Sequence, residues 1–112
     1  MTTTTKLERT VWKPYFDNIS KLLEGKNIEI EVASLNLGSQ IAAKWLPLFG
    51  VTYDENEDLI AVMAEGLDHM IRKPRDVFVE AEGVNLLSME VVDGDGVNQI
   101  IKFKEPLLLP AP

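Results

Sequence analysis

The links between the apolar runs of this chain are short, and nothing else in the sequence constrains the fold as tightly. Past residue 25 the apolar runs are separated by brief polar links, among them Asp54-Glu55-Asn56-Glu57-Asp58, Gly83-Val84-Asn85 and Asp93-Gly94-Asp95-Gly96. A parallel crossover needs a dozen residues or more, so a Rossmann-type sheet is excluded and antiparallel hairpins remain. The Asp-Gly-Asp-Gly link is the strongest hairpin signal, because glycine and aspartate tolerate the positive φ of tight hairpins.

The runs themselves show two periods. Over residues 11–24, Trp12, Phe16, Ile19 and Leu23 recur at three and four, predicting an amphipathic helix. Thr10 is placed to cap it, Pro14 falls in its first turn, and Gly25 stands where a left-handed residue would end it. From residue 27 the period drops to two. Ile28, Ile30 and Val32 alternate with Glu29 and Glu31, predicting a strand over 27–34 with one wet face. Further strands are expected over 48–53, 59–64, 76–80, 86–92 and 97–104, with 40–45 read as a strand or a short alanine-rich helix. Residues 35–39 are expected to turn.

The expected fold is therefore α+β: one N-terminal helix packed on a strongly bent antiparallel sheet of five to seven strands, or a small open barrel. The domain spans 10–105. Residues 1–9 are expected to be a disordered polar tag, and 106–112 a tail whose prolines cannot continue a ladder. Charge supplies a closure test. Glu29 and Glu31 would pair with Lys102 and Lys104 if the strand over 27–34 and the last strand were neighbours, which would close the sheet or nearly so.

With 112 residues and no cysteine, the chain has enough length for a core and no means to build a disulfide framework or a zinc ribbon. Its net charge of −7 disfavours nucleic acid and anionic membranes, both of which are held by cations. No apolar run reaches the length of a membrane span and no leader peptide is evident, so the expected setting is the cytoplasm.

Residues 66–76 hold the one histidine of the chain, read here as a crossing loop. Asp68, His69, Arg72 and Arg75 are the candidate ligand-binding residues, suited to an anion. Asp68 could orient His69 only if the segment is a loop, since neighbours in a strand face opposite ways. No cysteine, second histidine or serine motif supplies a nucleophile, so no catalytic set and no cofactor are expected. Asp54, Asn56 and Asp58 have the spacing that opens a calcium loop, but Leu59 occupies the position that needs glycine. The segment reads as a hairpin tip and no metal is expected. Leu107, Leu108 and Leu109 in the tail are candidate contact residues, docking on their own domain or on a second subunit.

Several pieces occur together in a recognisable order. They are Trp12, Phe16 and Asp17; Leu23-Glu24-Gly25; Pro47, Leu48, Gly50, Val51, Tyr53 and Asp54; Leu67-Asp68-His69, Ile71, Pro74 and Arg75; and Glu90, Val91, Asp93, Gly96, Gln99 and Ile100. In these the chain resembles a family of small uncharacterised bacterial proteins, a domain of unknown function, over most of residues 11–104. The resemblance implies no activity. The expected role is a non-catalytic protein-interaction or homo-oligomerising module, a dimer, with a small anionic-ligand-binding or enzymatic domain as the alternative.

Overall fold

The computed structural model describes residues 2–34 and 38–108, the last three as backbone alone. One helix packs on a single open sheet of eight antiparallel strands. The α+β class is as expected, and the strand count exceeds the expected five to seven.

In chain order, β1 (Thr2–Leu7) leads through a 3-10 turn (Arg9–Val11) into α1 (Trp12–Leu23), followed by β2 (Asn27–Ser34) and β3 (Gly38–Asp54). Then come β4 (Leu59–Ala64), β5 (Leu67–Arg72), β6 (Asp76–Glu82), β7 (Asn85–Val92) and β8 (Asn98–Leu108). Their order across the sheet is β1-β6-β7-β8-β2-β3-β4-β5. Strand β2 does neighbour β8, with Glu29 opposite Lys102. Closure does not follow, because β1 extends the sheet beyond β6 and β3 to β5 extend it beyond β2. The edges are β1 and β5.

Four local expectations are corrected. The segment read as a disordered tag is β1, whose partner lies far along the chain in β6. Threonine repeats carry no alternation, so the sequence shows no strand pattern there, although β-branched residues suit one. Thr10 does not cap the helix; it lies within the 3-10 turn, and the N-cap position falls on Val11 with no side-chain cap. The segment read as a crossing loop is mostly β5, an ordinary hairpin partner of β4. The ladder does not stop at Glu105. Leu107 and Leu108 pair with Leu86 and Asn85 of β7, while Leu109 and the residues after it lie outside those described.

The ambiguity over 40–45 resolves into one 17-residue strand. Residues 38–47 of β3 pair with β2 and residues 48–54 pair with β4. Pro47, which has no N–H to donate, sits at the changeover. Beyond it the Leu48 N–H and carbonyl turn to Lys26 and Gly25, at 2.9 and 2.8 Å, which ties the end of α1 to the bend. Gly25, at φ 84°, makes that approach available. Two register shifts between β2 and β3, one beside Trp45 at φ 52°, coil the strand further.

The core lies between α1 and the inner face of the bent sheet. Trp12, Phe16, Ile19 and Leu23 are the buried stripe of the helix, and Ile28, Leu48, Val51, Ile60, Ile71, Met89 and Ile101 are among the residues they join. Ser20 fastens helix to sheet: its Oγ donates to the Val51 carbonyl at 2.7 Å and accepts the Val51 N–H at 2.9 Å.

Candidate functional site

Strand geometry disperses the four candidate residues. On β5, Leu67, His69 and Ile71 turn inward, while Asp68, Met70 and Arg72 lie exposed on the other face. Asp68 therefore does not orient His69. Arg75 lies beyond the strand, where its N–H donates to the Val92 carbonyl at 2.7 Å and its Nε stands 3.5 Å from Asp76. No anion-binding fork is assembled from them.

His69 instead joins a polar chain that crosses the open side of the sheet. Its Nε2 lies 2.5 Å from Gln99 Oε1, and Gln99 Nε2 donates to Asp93 Oδ2 at 3.0 Å. A carboxylate can only accept, so the Gln99 amide must turn its N–H₂ to Asp93 and its oxygen to His69. The His69 Nε2 therefore carries the proton in this contact. Asp93 Oδ1 accepts the N–H groups of Asp95 and Val97, at 2.9 and 3.1 Å, which folds the Asp-Gly turn. A neutral amide between carboxylate and imidazole cannot stabilise an imidazolium as a direct Asp–His contact does. The chain positions β5 over the β7–β8 hairpin.

A second cluster locks the N-terminus, and it is built on a residue assigned above to the tag. Arg9 donates from Nη1 to the Tyr53 hydroxyl and to Asp58 Oδ1, both at 3.1 Å, and from Nη2 to the Pro74 carbonyl at 2.8 Å. Its guanidinium lies 4.4 Å from the centre of the Trp12 ring. Tyr53 also donates to Asp58 at 2.8 Å. Burial and then the Asp58 carboxylate raise the Tyr53 phenol above its ordinary pKa. Beside the cluster is a cleft of about 430 Å³ lined by Arg9, Thr10, Tyr53 and Glu55. Its one cation is already neutralised by Asp58, so the cleft offers no free positive charge to an anion.

The acidic turns are likewise occupied by local work. Asp54 Oδ1 accepts the N–H groups of Asn56 and Glu57, at 2.9 and 3.2 Å, while Asp58 serves Arg9. Among the described residues no three His, Cys, Asp or Glu side chains converge on a point that could hold a metal ion.

What remains uncommitted is the outer face of the sheet, turned away from α1. A hollow of about 230 Å³ there is lined by Thr4, Phe78, Glu80, Ser88, Glu90, Ile100 and Lys102, with Val79. At its margin Lys102 Nζ donates to Glu31 Oε1 at 2.8 Å. That bond, with one from the Ser39 hydroxyl, holds the Glu31 carboxyl below its ordinary pKa, and the same bond holds the Lys102 ammonium above its own. The pair therefore stabilises the fold at neutral pH. Its contribution fades as pH falls through the lowered pKa of Glu31, and again as pH rises through the raised pKa of Lys102. Accordingly, the urea midpoint of Glu31→Gln should lie below that of the parent chain at pH 7, and the gap should vanish in strong acid. A gap that persists unchanged in acid would show the pair to be irrelevant.

Sequence reasoning missed Arg9 and Gln99. Gln99 left a trace: it stands on the inward side of an alternation otherwise made of Val97, Ile101 and Phe103, as His69 does between Leu67 and Ile71. Two polar groups on inward faces must find partners. Arg9 left none, because its hydrogen-bond partners are 44 to 65 residues away.

The fold and its polar clusters define a small open-sheet α+β protein in which the conspicuous charged residues tie turns together. A family model described as a family of unknown function, DUF5335, matches residues 3–112, and the chain belongs to that family. It is also 33% identical, over 108 residues, to an uncharacterized protein of Aquifex aeolicus strain VF5, covering 96% of this chain and 97% of that one. No solved structure matches it. No helix among the described residues is long and apolar enough to cross a membrane.

Proposed function

We propose that this protein is a non-catalytic interaction module that self-associates in the cytoplasm as a two-fold dimer, through the free edge of β1. The observation that carries the reading is the character of that edge. Six residues run without proline, glycine or bulge, in continuous register with β6, and Thr2 to Lys6 are all exposed. With no strand beyond it among the described residues, such a strand presents a row of N–H and C=O groups that a second strand can complete. Its one cation, Lys6, is already paired with Asp76 at 3.2 Å and does little to guard it. An antiparallel β1–β1 pairing is self-complementary, as a two-fold dimer requires.

Light scattering on a sizing column tests it. The mass should rise toward twice 12.5 kDa with concentration. Thr3→Pro and Thr4→Pro remove N–H groups that point to opposite sides of the strand. One should abolish the dimer with the fold intact, and the other should loosen β1 from β6. A parent chain that stays monomeric at the highest attainable concentration overturns the reading. Truncation after Glu105 is a poor test, since it deletes residues that pair with β7.

A further inference from the structure

The registers of five strand pairs place one row of side chains straight across the outer face. From β1 to β3 the row reads Lys6, Phe78, Glu90, Ile100, Glu31, Ile41. Beyond the lysine it alternates apolar and acidic, one residue per strand. The next row reads Thr4, Glu80, Ser88, Lys102, Glu29. The hollow lies over Phe78, Ile100, Glu80 and Glu90, where the two rows meet. Phe78 and Ile100 are only half-buried, and among the described residues α1 packs against β3 and not against their strands, β6 and β8.

The carboxylates on this face are unevenly committed. Glu31 is satisfied by Lys102, but Glu90 has no ion pair or hydrogen bond among the described residues, and Glu80 meets only the Ser88 hydroxyl at 3.5 Å. Glu80 and Glu90 are diagonal neighbours on adjacent strands, so their charges repel across the hollow. A cation laid between them relieves that repulsion while its neighbours cover Phe78 and Ile100.

We infer that this face docks a basic amphipathic helix of a partner protein, lying across the strands. Neighbouring strands are about 4.8 Å apart, close to the helical pitch of about 5.4 Å, so a crossing helix offers one side chain per strand. An extended peptide repeats the same face only every 6.8 Å or so and falls out of step. The matching helix has apolar residues about seven apart, over Phe78 and Ile100, with lysine or arginine midway between them, over Glu90. A second copy of the chain would bring like charges together, and nucleic acid or an anionic membrane would be repelled. The inference rests on the proposed interaction role but not on the β1 dimer.

The probe is a fluorescein-labelled helical peptide of about 18 residues, with leucine at every seventh position and lysine midway between on the same face. Its twin carries glutamate for each lysine. By fluorescence anisotropy at low salt the lysine peptide should bind and the glutamate twin should not. Glu90→Lys and Phe78→Ser should each weaken binding about tenfold or more. Glu55→Lys makes the same charge change at the β3–β4 hairpin tip and should leave binding unaltered. Circular dichroism on each variant verifies the fold. Absence of binding, equal binding of both peptides, or equal loss from Glu55→Lys and Glu90→Lys overturns the inference. Repeating the titration on the monomeric proline variant separates it from the dimer: binding retained there leaves the face standing whatever becomes of the edge.

Discussion

Replacing Trp12 by alanine is expected to lower the unfolding free energy by about 3–5 kcal/mol, the largest loss of any single change considered. The ring is 1% exposed, and it is a joint as well as filling. It meets the Tyr53 ring edge-on with centroids 5.2 Å apart, carries the Arg9 guanidinium on its face, and donates its indole N–H to the Leu7 carbonyl at 3.1 Å. The last contact fixes the end of β1, so the variant should also release the N-terminal strand from β6. Hydrogen exchange should show β1 and β6 amides losing protection together. Trp12→Phe keeps most of the ring packing and loses the N–H, and should cost only about 1–2 kcal/mol. Urea titration followed by far-ultraviolet circular dichroism measures both. An alanine variant within about 1 kcal/mol of the parent would mean that the N-terminal strand is held by something else.

The second large effect is expected at Gln99, the one buried polar side chain among the described residues, at 7% exposure. Gln99→Leu keeps the volume but leaves the His69 Nε2–H and one Asp93 oxygen without partners, at a cost of about 2 kcal/mol. His69→Phe should cost less, since it strands only the Gln99 oxygen. The double variant should be less destabilised than the sum of the two, with a coupling of about 1 kcal/mol. Additive losses would show that the imidazole and the amide do not depend on each other.

Both residues illustrate what the sequence could and could not show. Where one face of a strand is wet and the register is regular, the period-two pattern marks the strand to the residue, as in β2, and the continuous apolar run does the same for β4. In β3 the bulges break the alternation: Ala43 is buried, Ile41 is 49% exposed, and Trp45 adopts a positive φ. One bent strand therefore reads as two short elements with a proline between them. In β5 the inward alternation of Leu67, His69 and Ile71 was present, but the charged residues around it gave the look of a loop. The partnership of Arg9 with Tyr53, Asp58 and Pro74 has no local signature, because each contact is made by folding.

The order of strands also bears on how the molecule is made. Strand β1 leaves the ribosome first, yet its partner β6 is 70 to 80 residues behind it. At a synthesis rate of about 5–20 residues per second, the threonine strand waits several seconds unpaired while the helix and the four strands β2 to β5 form beside it. Its docking closes the longest loop of the sheet and is expected to come late, after the hairpins have supplied a template. For those seconds a single nascent chain exposes the edge by which two finished chains are proposed to meet. On a crowded polysome, pairing between neighbouring nascent chains would then compete with pairing within each one.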